Sequence, residues 1–284
     1  MTNTILTLID GSAYSESLCH YVGWIAKRTS ADVELTHVLG RRESSTSQDL
    51  SGSIRLGARS ALLAELSALD EQRAKLAQAT GRAVLDDGAA IIQQHGQITV
   101  NARLRTGDIV DTVSEREAGA SMLAIGKRGE AADFAKLHLG SNLERIVRAT
   151  SKPVFVANRA FKEPKKVLIA YDGGVSSMKA IDMVARDPLF AELDCTIVTV
   201  GTSNDDLEQD LANATATLAA GGHKAETKVI QGSPENVLGE MTDHDGFDLL
   251  VMGAYGHSRI RSMIIGSTTT EMIRSCKVPI VLVK

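Results

Sequence analysis

A pattern of strand, glycine-rich turn and helix start occurs twice in this chain, and it constrains the fold more than any other feature. The second copy enters Gly253-Ala254-Tyr255-Gly256 and, after nine residues (257 to 265), reaches Gly266-Ser267. The first copy enters Gly126-Lys127-Arg128-Gly129 and then reaches Gly140-Ser141. In both copies a proline follows the Gly-Ser glycine at the same interval (140 to 153 and 266 to 279). A glycine-rich turn before a helix N-terminus is typical of phosphate binding.

The segments before these turns match as well. One apolar strand leads into Asp10-Gly11-Ser12, and another leads into Asp172-Gly173-Gly174. In each half the next strand ends at the same interval after the aspartate, at Val38 (10 to 38) and at Val200 (172 to 200). A segment of helical periodicity lies between them. Because the repeat period (10 to 172) has the length of a whole domain, the pattern indicates domain duplication rather than a solenoid.

The composition fits two ordinary domains. The chain has 284 residues, 43% of them hydrophobic and 23% charged, which is typical of a soluble globular protein. The net charge of −4, without a block of like charge, argues against a nucleic-acid or anionic-membrane surface. No apolar run approaches the roughly 20 residues needed to span a bilayer, and the N-terminus enters a strand without a signal peptide.

The cysteines point to a reducing compartment. Cys19, Cys195 and Cys276 lie singly within helix or strand patterns. A metal site would need clustered cysteine and histidine, which the sequence does not contain. We therefore predict that the three cysteines are reduced core residues, that no metal is bound through them, and that the protein is cytoplasmic.

Strands that alternate with helices predict an α/β fold. We expect two tandem Rossmann-like domains, each a five-stranded parallel sheet with helices on both faces, packed as a pseudo-dimer. The last strands, Val154-Phe155-Val156 and Ile280-Val281-Leu282, have high β-propensity, so their edges need pairing or cover. A polar segment with Pro164 marks the linker. The predicted domains are therefore residues 1–158 and 165–284.

The halves differ in one insertion, about residues 41–96. The stretch from Val38 to Gly107 in the first half is more than twice as long as the corresponding stretch from Val200 to Gly232 in the second. A strand over residues 98–104 is expected to follow the insertion. The insertion continues as a long amphipathic helix, whose apolar positions include Leu62, Leu66, Leu69 and Leu76. Two interpretations remain open: a helix that covers one face of the sheet, and a helix that binds a partner.

Three motifs in fixed order resemble the universal stress protein family. They are Asp-Gly-Ser after the first strand, Arg-Thr-Gly-Asp or Gln-Gly-Ser-Pro after the third, and Gly-x₂-Gly-x₉-Gly-Ser after the fourth. The resemblance covers nearly the whole chain, twice, apart from the insertion. It implies a tandem universal stress protein in which the last strands of the halves meet across a two-fold axis. It also implies an ATP cleft at the strand C-termini, which agrees with the general rule for open α/β sheets.

The second half carries the clearer candidate site. Gly253 and Gly256 lack a Cβ, so their backbone can approach phosphate, and Gly266 with Ser267 begins a helix whose free N–H groups favour an anion. The alternative is that these are structural turns and that Ser267 is only an N-cap. We expect valine at Gly253 or Gly256 to abolish nucleotide binding and to leave the fold largely intact.

The other second-half candidates rest partly on the resemblance. It implies a carboxylate beside the nucleotide at Asp172, whose alternative role is a helix cap, and a backbone contact with adenine at Val200. His257 and Arg259 either meet a phosphate or lie on the surface. The candidate nucleotide contacts of the second half are Asp172, Gly173, Val200, Gly253, Gly256, His257, Arg259, Gly266, Ser267 and Thr268.

The first half departs from the pattern. Ten residues (130 to 139) separate Gly129 from Gly140, and they include Asp133, an anion that Lys127, Arg128 or Lys136 could offset. Ser141 with Glu144 forms a capping box, which explains this serine without a ligand. We therefore expect the tighter site in the second half. The first-half candidates are Asp10, Val38, Gly126, Gly129, Gly140 and Ser141.

Catalysis has little support in the sequence, which contains no Walker motif, nucleophile elbow or His-Glu-x₂-His. We expect slow ATP hydrolysis at most. The leading hypothesis is a stress-response protein that binds ATP, with or without magnesium, as a regulatory ligand. The alternatives are an interaction scaffold with degenerate sites and, last, an enzyme. The expected partners are a nucleotide, a protein that the sequence does not identify, and a second copy in a homodimer, with neither nucleic acid nor membrane.

Overall fold

The computed structural model describes residues 3–40, 56–129, 141–255 and 266–284, with side chains for all of these except 56–63 and 141. Within these residues ten strands form one sheet. The strands are β1 Thr4–Ile9, β2 Asp32–Leu39, β3 Val100–Thr106, β4 Met122–Gly126, β5 Val154–Ala157, β6 Lys166–Ala170, β7 Asp194–Val200, β8 Ala225–Ile230, β9 Leu249–Gly253 and β10 Ile280–Val283. Strand β3 begins two residues later than its sequence pattern predicts.

Helices connect successive strands in both halves. They are α1 Ser15–Thr29, α2 Leu56–Gln93, α3 Ile109–Arg116, α4 Ser141–Ala149, α5 Val175–Arg186, α6 Asp205–Ala220, α7 Pro234–His244 and α8 Ser267–Ser275. Of the helices in the described ranges, none has both the length and the apolar character required to cross a membrane.

The sheet has the order β3-β2-β1-β4-β5-β10-β9-β6-β7-β8. All pairs within a half are parallel, and the pair at the centre, β5 with β10, is antiparallel. Two five-stranded parallel sheets of the same topology are thus joined edge to edge. The predicted fold class and pseudo-dimer are confirmed.

The central seam is short and fully apolar. Val281 pairs with Phe155, and the flanking pairs are Ile280 with Val156 and Leu282 with Val154. All of these side chains are buried. Since each strand would otherwise expose an unpaired edge of β-branched and aromatic residues, the pairing protects both halves at once.

Helices cover both faces of the sheet. Alternation along β1 places Ile5 and Ile9 in one apolar cluster and Leu6 and Leu8 in the other. The first cluster contains side chains of α1, α2, α5 and α6, and the second contains side chains of α3, α4, α7 and α8. Cys19, Cys195 and Cys276 are buried in these clusters as free thiols, as the sequence predicts. Burial raises the pKa of the Cys19 thiol to about 12.

Two lysines tie each half to a helix of the other. Lys127 Nζ donates to the carbonyl of Cys276, at the end of α8. Lys284 Nζ donates to the carbonyls of Arg148, at 3.0 Å, and of Thr150, at the end of α4. A cation at a helix C-terminus donates hydrogen bonds to carbonyls that have no partner within the helix, and it interacts favourably with the negative end of the helix dipole. The acceptors Cys276 and Thr150 occupy corresponding places at the ends of α8 and α4, whereas the two lysines follow different strands, β4 and β10.

Asp248 anchors the segment between the halves. Its Oδ2 accepts hydrogen bonds from the backbone N–H groups of Lys165 and Lys166, at 3.0 and 3.1 Å, and its Oδ1 pairs with Lys162. The corresponding Ser121 donates to Asn3 and Thr4 instead. This difference between the halves lies at the start of β9, away from the glycine-rich turns.

Helix α2 covers the sheet with only its C-terminal part. Gly81, Leu85, Gly88 and Ile92 are buried, and a Cβ on Gly88 would lie 3.0 Å from Ile9 Cδ1. Leu69 and Leu76 are instead 45% and 68% exposed, so the expected cover of the sheet comes from the C-terminal part of α2 and not from these leucines. The physical reason is length: 38 residues span about 57 Å as a helix, whereas the eight residues of β2 span about 26 Å.

The seam predicts an unequal cost of truncation at the centre and at the outer edge of the sheet. Phe155→Ala should lower the free energy of unfolding by about 3–5 kcal/mol, because a fully buried ring leaves a cavity between the halves. Val229→Ala, on the outer strand β8, should cost less than about 1 kcal/mol, because Val229 is 38% exposed. Urea unfolding followed by circular dichroism measures both. Equal costs would show that the seam does not carry the stability assigned to it.

Candidate functional site

The candidate site of the second half lies where β6 and β9 end side by side. Ala170 pairs with Met252, so the residues after β6 and the last residue of β9, Gly253, share one edge of the sheet. The chain leaves β6 toward β7 and leaves β9 toward β10, in opposite directions along the sheet. Such a switch point opens a crevice at the strand C-termini, where α/β sheets bind ligands.

Asp172 shapes the turn between β6 and α5. Its Oδ1 accepts hydrogen bonds from the Gly174 N–H, at 2.9 Å, and from the Ser177 hydroxyl, at 2.6 Å. Gly173 has a φ of 76°, which favours glycine. Asp172 thus orders the turn before α5, but among the described residues no side chain caps an N–H of the first turn of that helix. Contact with a ligand stays a prediction. Asp172 and Gly173 are both exposed at the mouth of the crevice.

Val200 ends β7 beside this turn and is half-buried on the face of the second apolar cluster. The preceding Thr199 donates its hydroxyl to the carbonyl of Tyr171, at 2.9 Å. In the first half, Nδ1 of His37 lies 2.8 Å from the carbonyl of Ile9, and Val38 follows it. The sequence analysis did not predict either of these contacts between a strand end and the neighbouring strand. A buried polar residue just before the strand end was the available signal.

The start of α8 docks on the end of β9. The Gly266 N–H donates to the Ala254 carbonyl at 3.4 Å, and the Thr269 hydroxyl donates to the Gly253 carbonyl at 3.3 Å. Among the described residues, no side chain caps this helix, whose N-cap is Gly266. Ser267 is exposed and Thr268 is half-buried. An uncapped, accessible helix N-terminus beside a glycine turn fits a polyphosphate, because its first N–H groups need acceptors.

Gly253 has a packing role that the sequence did not reveal. A Cβ at this position would lie 2.8 Å from the Cβ of Ser176 and 3.0 Å from the backbone nitrogen of Ser177. The side chain would therefore meet the first turn of α5, rather than open space for a ligand. Valine at Gly253 would therefore strain the packing of α5 as well as the approach to a ligand, so that loss of binding in this variant would not by itself locate the site.

The first half closes its glycine-rich turn on its own aspartate. Asp10 Oδ1 accepts hydrogen bonds from the Ser12 N–H, at 3.1 Å, and the Ser15 hydroxyl, at 3.4 Å. A Cβ on Gly129 would lie 2.8 Å from Asp10 Oδ2, and the Ser12 hydroxyl donates to the Arg128 carbonyl at 3.3 Å. The Asp10 carboxylate thus lies against Gly129 of the turn. Gly126 lies close to Tyr14: a Cβ added to Gly126 would be 2.9 Å from the Cβ of Tyr14.

Lys127 points away from the first-half turn, toward the other half. Its Nζ contacts the end of α8, and burial lowers the pKa of this ammonium to about 8. The contact of Lys127 is thus with a helix C-terminus of the other half, and its role in offsetting Asp133 stays a prediction. Asp133 and Lys136 lie outside the described residues.

Several predicted site residues fall outside what the structure describes. They are Gly140, Gly256, His257 and Arg259. Ser141 begins α4, but its side chain is also outside the described set, and Glu144 pairs with Arg148 one turn later. In the described part of the chain, no group of three or more His, Cys, Asp or Glu side chains could hold a metal ion.

The second-half turn is also linked to the first half. Lys284 Nζ lies 5.1 Å from the centre of the Tyr255 ring, within cation–π range. The same ammonium bonds to the end of α4. Tyr255 follows Ala254 in the glycine-rich turn, so Lys284 links the candidate site to a helix of the other half.

The contact of Gly253 with α5 predicts a stability effect at this glycine. Gly253→Val should lower the free energy of unfolding by about 1–3 kcal/mol, because the new side chain overpacks against Ser176. Gly239→Ala in α7 is the matched control, since nothing lies within 4 Å of its added Cβ and alanine favours helix. Thermal unfolding of the two variants compares them. A Gly253→Val protein as stable as Gly239→Ala would contradict the packing role.

Comparison with known proteins agrees with the duplicated fold. The model of the universal stress protein family matches residues 1–158 and 163–284. The universal stress protein Slr1230 of Synechocystis is 36% identical over 280 residues, which cover 97% of this chain and 98% of that protein. The universal stress protein Rv1636 of Mycobacterium tuberculosis is 27% identical over 142 residues, or 42% of this chain and 95% of that protein.

A solved structure shows the same architecture over the full length. It is the crystal structure of a universal stress protein from Archaeoglobus fulgidus, with a TM-score of 0.74 and 21% identity. The match covers 100% of this chain and 99% of that one. At this identity the likeness concerns the fold. The two family matches, with the full-length relative, carry the assignment: the chain belongs to the universal stress protein family.

Proposed function

We propose that this chain is a cytoplasmic stress-response protein that binds ATP as a regulatory ligand in its second half. The observation that carries the proposal is the uncapped N-terminus of α8, docked on the end of β9 at the switch point of the sheet. The three buried, free cysteines fit a reducing compartment.

The neighbouring residues suit the three parts of ATP. The backbone of Val200, at the end of β7, would meet the adenine edge, and Asp172 would lie beside the ribose. Gly253, Gly266 and the hydroxyls of Ser267 and Thr268 would surround the triphosphate, where the helix dipole favours negative charge. Gly256, His257 and Arg259 remain candidates for contact with the same phosphates. The ATP binds with or without a magnesium ion in this proposal.

We further propose that each chain has one tight site. The first-half loop between Gly129 and Gly140 is one residue longer and contains Asp133, and the Lys127 ammonium that could offset this charge contacts the end of α8 instead. A carboxylate about 4 Å from a phosphate charge costs roughly 4 kcal/mol before screening, at an effective dielectric of 20. Such a cost corresponds to about a thousandfold in affinity.

The role that we propose is regulatory rather than enzymatic. The candidate site combines a cradle for phosphate with no sequence motif for a positioned base or water activator, so it should bind ATP and hydrolyse it slowly at most. The contact of Tyr255 with Lys284 gives bound nucleotide a route to the other half. A second candidate function, an interaction scaffold, is favoured by the exposed leucines of α2.

A charge placed at the exposed first position of α8 tests the nucleotide site. Ser267→Asp should weaken ATP binding by at least about a hundredfold, because the new carboxylate repels the phosphates. It should not lower stability, because an acidic residue in the first turn favours the helix. Isothermal titration calorimetry measures the affinity, and thermal unfolding checks the fold.

The matched control is Ser141→Asp, at the corresponding position of α4 in the first half. It should change the affinity of the tight site by less than about threefold, because it lies in the other half and salt screens interactions between charges that are far apart. If the wild-type protein does not bind ATP, the interaction-scaffold function is favoured instead. An equal loss of ATP affinity in Ser267→Asp and Ser141→Asp would contradict a site in the second half.

A further inference from the structure

The N-terminal part of α2 leaves the body of the protein. Near its C-terminal end, α2 packs on the sheet. A Cβ added to Gly81 of the helix would contact Leu104 and His37 of the sheet. Val84 of the helix lies close to Gly11, which follows the end of β1. Residue 84 thus already lies at the carboxyl edge of the strands. From residue 64 to residue 80 no side chain is buried. We call residues 64–80 the projecting limb.

The projecting limb carries apolar side chains on a face of its own. Leu69 and Leu76 are one heptad apart and 45% and 68% exposed, and Leu66 is half-buried. At 100° per residue, this face lies about 130° around the helix from the stripe formed by Gly81, Leu85, Gly88 and Ile92. The leucines are therefore turned away from the surface that α2 uses to pack on its own sheet.

Charges on this face make it complementary to itself. Glu65 and Arg73 flank Leu69, each four residues away, on the same side of the helix. When a second helix lies antiparallel with position 69 opposite its own copy, position 65 faces position 73 of the other chain. Leu66 then faces Gln72, and Leu76 faces position 62, which is also a leucine. Every charged pair across this face joins opposite charges.

We propose that the projecting limb pairs antiparallel with the same limb of a second copy, so that two chains form a dimer through α2. The proposal does not rest on the nucleotide site. The pairing would bury Leu69 and Leu76 and create two Glu65–Arg73 ion pairs, related by the two-fold axis. An antiparallel arrangement also keeps the two sheets at opposite ends of the helix pair, where they do not collide.

A parallel pair of the same limbs is disfavoured by charge. Arg73 would face Arg73 of the other chain within the seam, and Glu65 would approach Asp70 of the other chain at flanking positions. Both contacts bring like charges together. The antiparallel register therefore accounts for the positions of the charges as well as for those of the leucines.

Sedimentation equilibrium of the full chain at low salt tests the association. The wild-type protein should form a concentration-dependent dimer. The double variant Leu69→Asp/Leu76→Asp should raise the dissociation constant of this dimer at least about a hundredfold, because each chain loses two leucine side chains that the pairing would bury. Gln78→Asp, on the opposite, exposed face of α2, is the matched control and should change it less than about twofold. A monomeric wild type, or a dimer that the double variant leaves intact, would overturn the proposal.

Charge reversal tests the register. Glu65→Arg and Arg73→Glu should each weaken the dimer about tenfold or more, and the double reversal should restore it, because the two positions are too far apart to pair within one helix. Under oxidation, Leu69→Cys should form a covalent dimer and Leu76→Cys should not, since the native cysteines are buried. Failure of the double reversal to restore the dimer, or cross-linking of both variants, would overturn the antiparallel arrangement.

Discussion

The antiparallel pairing of β5 with β10 is the interaction on which the rest of this structure depends. It joins two parallel sheets through three residue pairs that are entirely apolar and buried. Without it, each half would expose an unpaired strand of high β-propensity, which is a site for aggregation. The pairing also fixes the pseudo-symmetry that brings Lys127 to α8 and Lys284 to α4.

In this arrangement, each end of helix α8 has surroundings that suit the charge of its dipole. Its C-terminal carbonyls accept from an ammonium of the other half, whereas its N-terminus is uncapped and accessible beside Gly253. The dipole of α8 thus has a cation at the negative end and, in the account proposed above, the phosphates of ATP at the positive end. In the first half the loop before α4 is one residue longer and contains Asp133. In the proposed account this loop distinguishes the two halves, since Asp10 and Asp172 are common to both.

Periodicity and repetition were sufficient to predict the strands and their parallel arrangement, because these features follow from local patterns of apolar residues. The edges of the last strands called for pairing or cover, and the family resemblance implied that they pair with each other. Three features were beyond the sequence because they depend on contacts between distant residues. Lys127 contacts the end of α8 in the other half, and Ser176 lies against Gly253. Leu69 and Leu76 lie exposed on the part of α2 that extends beyond the sheet.

The central claim is that nucleotide binds the second half of each chain and is excluded from the first by its charge. Native mass spectrometry of the full chain, titrated with ATP, tests this claim most directly because it counts ligands per protein molecule. The account predicts a single ATP per chain at low micromolar concentrations, counted separately for monomer and dimer, and loss of that adduct in Ser267→Asp. Two ATP molecules bound with equal affinity, or none at all, would contradict it.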